Sequence, residues 1–241
     1  MIALFTDFNL NDPYVGQMHA AIAREAPEVP IVDLFHNAPS FDIRAAAYLL
    51  PAYTQYFPRG TIFVCVVDPG VGSERRPVML QADGNWYVGP DNGLFHMVER
   101  RAQESCCHVI TWKPERMSRS FHGRDLFAPV GARLARGRSV ATEPSELTPP
   151  DADWPDELPE VLYIDHFGNA ITGIRASNLA DDTVIMAGDR ELRKKETFSD
   201  VPVGEAFWYE NANGLVEVAV NQGRVDETLG LTLGDAVMIL E

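Results

Sequence analysis

Hydrophobic and polar positions along the 241 residues follow two regimes. In the first half, short apolar runs alternate with longer stretches of helical period. Ile2 to Phe5 is apolar and stops at Thr6-Asp7-Phe8, which predicts a strand meeting a polar loop. Asn11-Asp12-Pro13 predicts a helix start, with Asp12 as its cap and Pro13 in its first position. Ile31 to Phe35 predicts a second strand, closed by His36-Asn37-Ala38-Pro39. A helix is expected from Phe41 to Phe57, where Ala45, Leu49 and Tyr53 recur at a spacing of four. Pro58-Arg59-Gly60 then turns the chain into a buried strand, Thr61 to Val67. Strand, helix, strand, helix, strand is the signature of a parallel sheet covered by helices. Ligands of such sheets lie beyond the carboxyl ends of the strands. Asp7, His36 and Asp68 all fall at those ends.

Further on, Pro77 to Gln81 and Trp86 to Val88 predict a hairpin, and Gly89-Pro90-Asp91-Asn92-Gly93 a turn into a short helix through Val98. His108 to Trp112 predicts another strand. A helix is expected from Asp125 to Arg136, with Leu126, Val130 and Leu134 on one stripe. Periodicity then lapses. Residues 139–159 interleave Pro144, Pro149, Pro150, Pro155 and Pro159 with acidic side chains and predict a linker. Beyond it the second regime begins: short alternating segments at Val161 to Ile164, Ala170 to Ile174, Thr183 to Met186, Ala206 to Tyr209, Leu215 to Val220 and Ala236 to Leu240. Gly and Asp turns separate them, which predicts a small all-β barrel or sandwich. The domains expected are therefore 1–138, α/β, and 160–241, all-β.

Composition narrows the function more than the fold. A formal charge of −15 argues against nucleic acid, because phosphate binding needs concentrated Lys and Arg. No apolar run approaches membrane-spanning length, and the amino terminus lacks a basic region followed by an unbroken apolar run. Three cysteines, Cys65 and the adjacent Cys106 and Cys107, show no metal-binding spacing and suit buried thiols in a reducing compartment. The protein is expected to be cytoplasmic, with no membrane partner.

The sharpest chemistry surrounds Asp68, a carboxylate at a strand end followed by Pro69, Gly70 and Gly72, with Arg75 seven residues later. With His122 of Ser-Phe-His-Gly-Arg-Asp these residues can hold and deprotonate a water. The carboxylate accepts, the guanidinium fixes it by a bidentate fork, and the imidazole titrates near neutrality. The competing reading is a capped turn, a surface ion pair and a satisfied loop histidine. Asp7 can bridge vicinal ribose hydroxyls, or simply close its strand in an Asx turn. Asp165-His166-Phe167-Gly168-Asn169 combines a carboxylate, an aromatic face and a carboxamide able to donate and accept at a purine edge, or forms only a β-turn. Asn211-Ala212-Asn213-Gly214 reads as a hairpin turn. No His-x-x-x-His spacing marks a metal site.

Taken in order, Thr6-Asp7-Phe8 with Asp12 to Gly16, Val67 to Gly72 with Arg75-Arg76, Gly89 to Leu94, Phe121 to Asp125, Asp165 to Asn169 and Gly214 to Asn221 resemble the S-adenosylmethionine hydroxide adenosyltransferase family. Fluorinating and chlorinating enzymes that use the same substrate are its relatives. The resemblance implies an α/β domain with a mainly parallel sheet flanked by helices, a smaller C-terminal β-barrel, and a homotrimer with sites between neighbouring subunits. It implies attack of water on the ribose C5′ of S-adenosylmethionine, giving adenosine and L-methionine without a metal or other cofactor. Asp68, Arg75 and His122 match the water-activating triad; an aromatic residue replaces the aspartate in the halogenating relatives. By the same resemblance Asp7 holds the ribose, Phe41 and Phe121 wall the sugar, Phe167 and Asn169 contact adenine, and Asp12 and Asp165 face the methionine ammonium. Ala212 departs from the family's serine, leaving the methionine carboxylate to Asn213 or backbone amides. The other readings that remain are a non-catalytic adenosine or S-adenosylmethionine sensor, a halide-using enzyme, and a metal-dependent hydrolase.

Overall fold

The apolar run at the amino terminus becomes β1 (Ile2–Thr6), buried along its whole length. It is followed by α1 (Tyr14–Glu25), β2 (Ile31–Phe35), α2 (Ile43–Thr54), β3 (Ile62–Val66), β4 (Pro77–Ala82), β5 (Asn85–Pro90), α3 (His96–Arg101), β6 (Ser105–Ile110), α4 (Ala128–Ala135) and β7 (Thr142–Ser145). This computed structural model describes residues 1–150 and 152–240; Asp151, inside the expected linker, and Glu241, at the end of the expected second domain, lie outside the described residues. The chain divides into two units, Met1–Asp151 and Ala152–Glu241.

The first unit is built on one seven-stranded sheet of order β2-β1-β3-β5-β4-β6-β7. The expected sheet was mainly parallel; the observed one is mixed. β1, β2, β3 and β5 run parallel, whereas β4, β6 and β7 join through antiparallel pairings. The cause is the β4–β5 hairpin, whose second strand, not its first, pairs with β3. β7 lies within the stretch expected to be a linker. Its Pro144 is tolerated because β7 is the edge of the sheet, where a missing N–H costs no ladder bond.

Ile2, Leu4, Ile62 and Val64 share one core with Met18 and Ile22 of α1 and Val130 of α4, while Phe63 stacks on Tyr87 and meets Phe57. Alternate residues of each central strand are thus buried in separate groups, as expected for a sheet covered on both faces. Helix α2 starts two residues later than its apolar period predicts, because Asp42 caps it by accepting from Ala45 N at 2.9 Å. Phe41 is thereby expelled from the helix. Asp12 does not cap α1; Pro13 occupies that position with no side-chain cap. The stretch expected as one helix from Asp125 begins as a wide π-helical turn, Gly123–Phe127, in which Ala128 N bonds Gly123 O. Pro129 explains it: lacking an N–H, it cannot take its place in the ordinary i→i−4 ladder.

The second unit contains β8 (Leu158–Ile164), β9 (Ala170–Arg175), β10 (Val184–Ala187), β11 (Arg190–Arg193), β12 (Ala206–Glu210), β13 (Leu215–Val220) and β14 (Val237–Leu240). Where a barrel was expected, they form two antiparallel sheets, β12-β13-β9-β8 and β11-β10-β14. Among the described residues, the single bridges Glu160↔Ala236 and Lys194↔Trp208 link strands across them. Val161 makes the first junction, its N–H donating to Asp235 O and its carbonyl accepting from Gly234 N. Trp208, fully buried, centres the core between Val161, Ile185 and Val216. Among the described residues no helix is long and apolar enough to cross a membrane.

Candidate active site

Two constellations emerge, one on each unit. The first grows from the carboxyl ends of β1 and β3. Thr6 and Val66 are register partners, so Asp7 and Asp68, just beyond them, leave the same sheet edge. The Asp68 backbone is fixed from before and after: Asn92 Nδ2 donates to Val67 O at 2.9 Å, and Val71 N donates to Asp68 O at 3.2 Å. Gly72, at φ +82°, then passes the 119 segment so closely that a Cβ there would sit 2.7 Å from Arg119 O. This close approach carries the loop from Asp68 to Arg75 against the segment that leads to His122.

Arg75, Asp68 and His122 consequently meet. Arg75 Nε lies 3.0 Å from both Asp68 oxygens, and Nη2 lies 2.5 Å from Oδ2. Nη2 also lies 2.8 Å from His122 Nδ1. A guanidinium only donates, so Nδ1 accepts and the ring proton is on Nε2. The Asp68 and Arg75 side chains are 4% and 9% exposed, and the guanidinium also sits 5.2 Å from the Phe127 ring centroid. The π-turn therefore contributes twice, with His122 at its entrance and Phe127 at its exit. Burial, and next the Arg75 charge, push the His122 imidazole below its ordinary pKa. The loop is braced by Arg76, whose Nε donates to the buried Asp91 at 2.8 Å, while Asp91 N donates back to Arg76 O.

Asp7 stands beside this group. Burial above all, with the negative charge of Asp68 adding to it, raises its pKa; the Phe41 N–H, 3.2 Å from Oδ2, works against that rise. Phe41 holds this N–H in place with a left-handed backbone, φ 64°, and the residue is left 75% exposed. Phe121 packs edge-on to Phe8 and Tyr14, at 5.7 and 5.4 Å between centroids. Asp12 is exposed ahead of α1. His36, in contrast, is absorbed by the fold: Nδ1 meets Thr6 Oγ1 at 2.8 Å and Nε2 meets Asp33 Oδ1 at 2.9 Å.

The second constellation surrounds a cavity of about 680 Å³ in the second unit, lined by Asp165, Phe167, Asn169, Tyr209, Asn213 and Glu217 among others. The β8–β9 turn positions three of them. Gly168, at φ +89°, sits where a Cβ would collide with Arg224, and Asn169 N donates to Asp165 Oδ1 at 2.9 Å. Phe167 is left 75% exposed. In the β12–β13 turn, the N–H groups of Asn213 and Leu215 donate to Asn211 Oδ1, and that of Gly214 to Asn211 O. Those three amides are thus spent inside the turn.

The residues expected in the site therefore gather as two sets: Asp68, Arg75, His122, Asp7 and Phe41 in the first unit, and Asp165, Phe167, Asn169 and Asn213 in the second. Sequence reasoning missed several supports. Asn92 and Tyr14 lie within the stretches that carried the resemblance, yet no local pattern gives their roles. Glu217 carries a visible signal, a lone carboxylate in the apolar run Leu215 to Val220. It is buried, which raises its pKa, and it accepts from Tyr209 Oη and from Asn211 Nδ2, the latter at 2.9 Å.

Family models agree with this architecture. The SAM hydroxide adenosyltransferase N-terminal domain matches residues 2–143 and the C-terminal domain residues 159–238. The chain is 39% identical to an (R)-S-adenosyl-L-methionine hydrolase of Thermus thermophilus, over 99% of each chain. A fluorinase of Actinopolyspora mzabensis is 26% identical, over 99% of this chain and 96% of that one. A crystal structure of an uncharacterized conserved protein from Thermotoga maritima superposes with a TM-score of 0.84 at 30% identity, each chain covered completely. With both domain models matched in order, the chain belongs to the SAM hydroxide adenosyltransferase family.

Proposed function

We propose that this protein hydrolyses S-adenosyl-L-methionine to adenosine and L-methionine by attack of water on the ribose C5′. The observation that carries the reading is the Arg75 guanidinium, which grips Asp68 through Nε and Nη2 and reaches His122 Nδ1 with the same Nη2. Full-length relatives named (R)-S-adenosyl-L-methionine hydrolase support it.

The roles follow from which lone pairs remain. Arg75 occupies His122 Nδ1, so His122 offers Nε2–H as a donor that orients the water oxygen. Asp68 Oδ1 accepts one bond, from Nε, and keeps capacity for a second. It is the group that takes the water proton. A new C5′–O bond forms as the C5′–S bond breaks; the sulfonium leaves as the neutral thioether of methionine, and the proton passes from Asp68 to solvent. Positive and negative charge annihilate along this path, so a water-poor site favours it, and fixing water in line with the C–S bond contributes on the order of 7–11 kcal/mol. A neutral thioether leaves without a Lewis acid, so the reaction needs no metal or other cofactor.

In this reading Asp7 binds the ribose hydroxyls and Phe41 and Phe121 flank the sugar. Phe167 and Asn169 take adenine, Asp12 and Asp165 face the ammonium, and Asn213 takes the carboxylate. The two constellations combine between neighbouring subunits of a homotrimer, and the free thiols suit a cytoplasmic setting. Turnover in ¹⁸O-labelled water tests the chemistry: label is expected in the adenosine 5′-hydroxyl and none in methionine. Unlabelled adenosine, or no adenosine, sinks the reading. Light scattering tests the trimer, and unchanged turnover after chelation tests the cofactor-free step.

A further inference from the structure

The loop from Asp68 to Arg75 is held at both ends by two adjacent residues. Before it, Asn92 Nδ2 donates to Val67 O at 2.9 Å. After it, Arg76 Nε and Nη2 donate to Asp91 Oδ2 at 2.8 and 2.5 Å, and Asp91 N donates back to Arg76 O at 2.9 Å. Asp91 and Asn92 together clamp the loop. A carboxylate gripped from one side only can still turn about its last torsion, which is broad for aspartate.

What stops that turn comes from far along the chain. Thr148 N donates to Asp91 Oδ1 at 3.0 Å, and Thr148 Oγ1 donates to Oδ2 at 2.7 Å. The same segment captures Arg76: Nη1 donates to Ser145 Oγ at 2.9 Å, and Nη2 lies 2.9 Å from Glu146 O and 3.0 Å from Thr148 Oγ1. Both Asp91 oxygens are thereby occupied, and its side chain is 1% exposed. Residues 145–148, inside the stretch whose prolines and acidic residues predict a linker, close over this ion pair as a strap.

We propose that Thr148 and Asp91 are positioning residues for the chemistry on Asp68. The strap locks the Asp91 carboxylate, Asp91 locks Arg76, and the Arg76 backbone sets its neighbour Arg75 against Asp68 and His122. The effect on turnover rests on the hydrolysis proposed above; the effect on the loop does not. Misplacing a reacting group by about 1 Å can cost on the order of 100-fold in rate, so a loop loosened at one end should lose turnover before it unfolds.

Two measurements on the full-length protein test this: steady-state kinetics with S-adenosylmethionine, and hydrogen exchange of the loop amides Val71, Ser73 and Arg75. In Asp91→Asn the amide nitrogen opposes a donor whichever way it faces, Arg76 on one side or Thr148 on the other. We expect kcat about tenfold below the parent with KM nearly unchanged, and loop exchange about tenfold faster. Thr148→Val removes the hydroxyl at an exposed position and should shift both readouts the same way by less, whereas Thr148→Ser restores them. A merely structural role predicts a lower melting temperature with kcat and loop exchange unchanged in the folded protein, and that result overturns the proposal. Equal losses in Thr148→Val and Thr148→Ser overturn it as well. If Asp91→Asn does not fold, the Thr148 pair decides. If the parent does not turn over S-adenosylmethionine, the hydrolase reading fails, and exchange alone judges the strap: faster loop exchange in Thr148→Val supports it and unchanged exchange overturns it.

Discussion

Arg75 holds Asp68 through two nitrogens, with Nε 3.0 Å from each carboxylate oxygen and Nη2 2.5 Å from Oδ2, in a pocket where neither side chain is more than 9% exposed. Removing one partner of a buried pair leaves an uncompensated charge and costs roughly 3–5 kcal/mol, so alanine variants here confound folding with function.

Arg75→Lys avoids that difficulty. Lysine keeps the charge but offers a single point donor in place of the planar fork, so it cannot bond Asp68 and His122 in fixed geometry together. We expect kcat to fall about 100-fold, within the range for misplacing a general base, with KM nearly unchanged because Arg75 acts on the water and not on the substrate. Steady-state kinetics decide it: turnover close to the parent rate, or a loss confined to KM, refutes the assigned role.

The pH profile follows from His122. Protonation would place a hydrogen on Nδ1 against the Arg75 donor, and burial together with that charge already holds the imidazole below its ordinary value of about 6.5. The folded protein thus binds this proton less readily than the unfolded chain. Stability from His122 is fully present above the unfolded value and is lost as pH falls below it. Activity should behave alike: the acid limb of kcat lies below about pH 6.5. A limb centred above that value, or one unmoved in His122→Gln, argues against a neutral, donating His122.

What the amino-acid pattern revealed depended on how local each interaction is. Asp68 and Arg75 were legible together because a turn of Pro69, Gly70 and Gly72 lies between them. Asp7 was legible because parallel strands end on one edge. Phe41 was placed in a helix because the apolar period of α2 runs back through it, and the short signal of the Asp42 cap was outweighed. The mixed sheet was hidden because nothing in Pro77 to Val88 says which arm of that hairpin meets β3. Glu217 escaped for a different reason: its partners Tyr209 and Asn211 lie outside its own strand, so the run Leu215 to Val220 reads simply as a strand. Interactions that span strands are written in no single stretch.

Asp7 should show a conflict between stability and function. Burial raises its pKa, so the folded state disfavours the charged form that ribose binding would use. A raised carboxyl destabilises the fold once pH exceeds its unfolded value near 4, and Asp7→Asn removes that penalty while keeping an oxygen for the Phe41 N–H. At pH 7 the variant is expected to melt at a higher temperature than the parent yet lose at least about tenfold in kcat/KM, the familiar trade between a strained site and a stable one. Below pH 4 the melting difference should vanish. A variant that melts lower at pH 7 would show that Asp7 is structural.

Gly89 and Gly16 make a matched pair of backbone tests. In β5, a Cβ on Gly89 would lie 2.2 Å from Cys65 O in the neighbouring β3 and 2.9 Å from the Phe95 ring. The first of these is backbone and cannot swing aside. Gly89→Ala must therefore separate β3 from β5 just upstream of Asp68 and the Asn92 bond that fixes it. Overpacking of this kind costs about 3 kcal/mol, which lowers Tm by roughly 6–12 °C in a unit of this size. Activity should fall more than the unfolded fraction accounts for, because the strand that carries Asp68 is displaced. Gly16, exposed in α1, has nothing within 4 Å of the place an added methyl would occupy, so Gly16→Ala should instead stabilise by up to about 1 kcal/mol through helix propensity. Thermal melts of the two variants check the contrast, and equal melting temperatures would show that β3 and β5 are not held at the separation described.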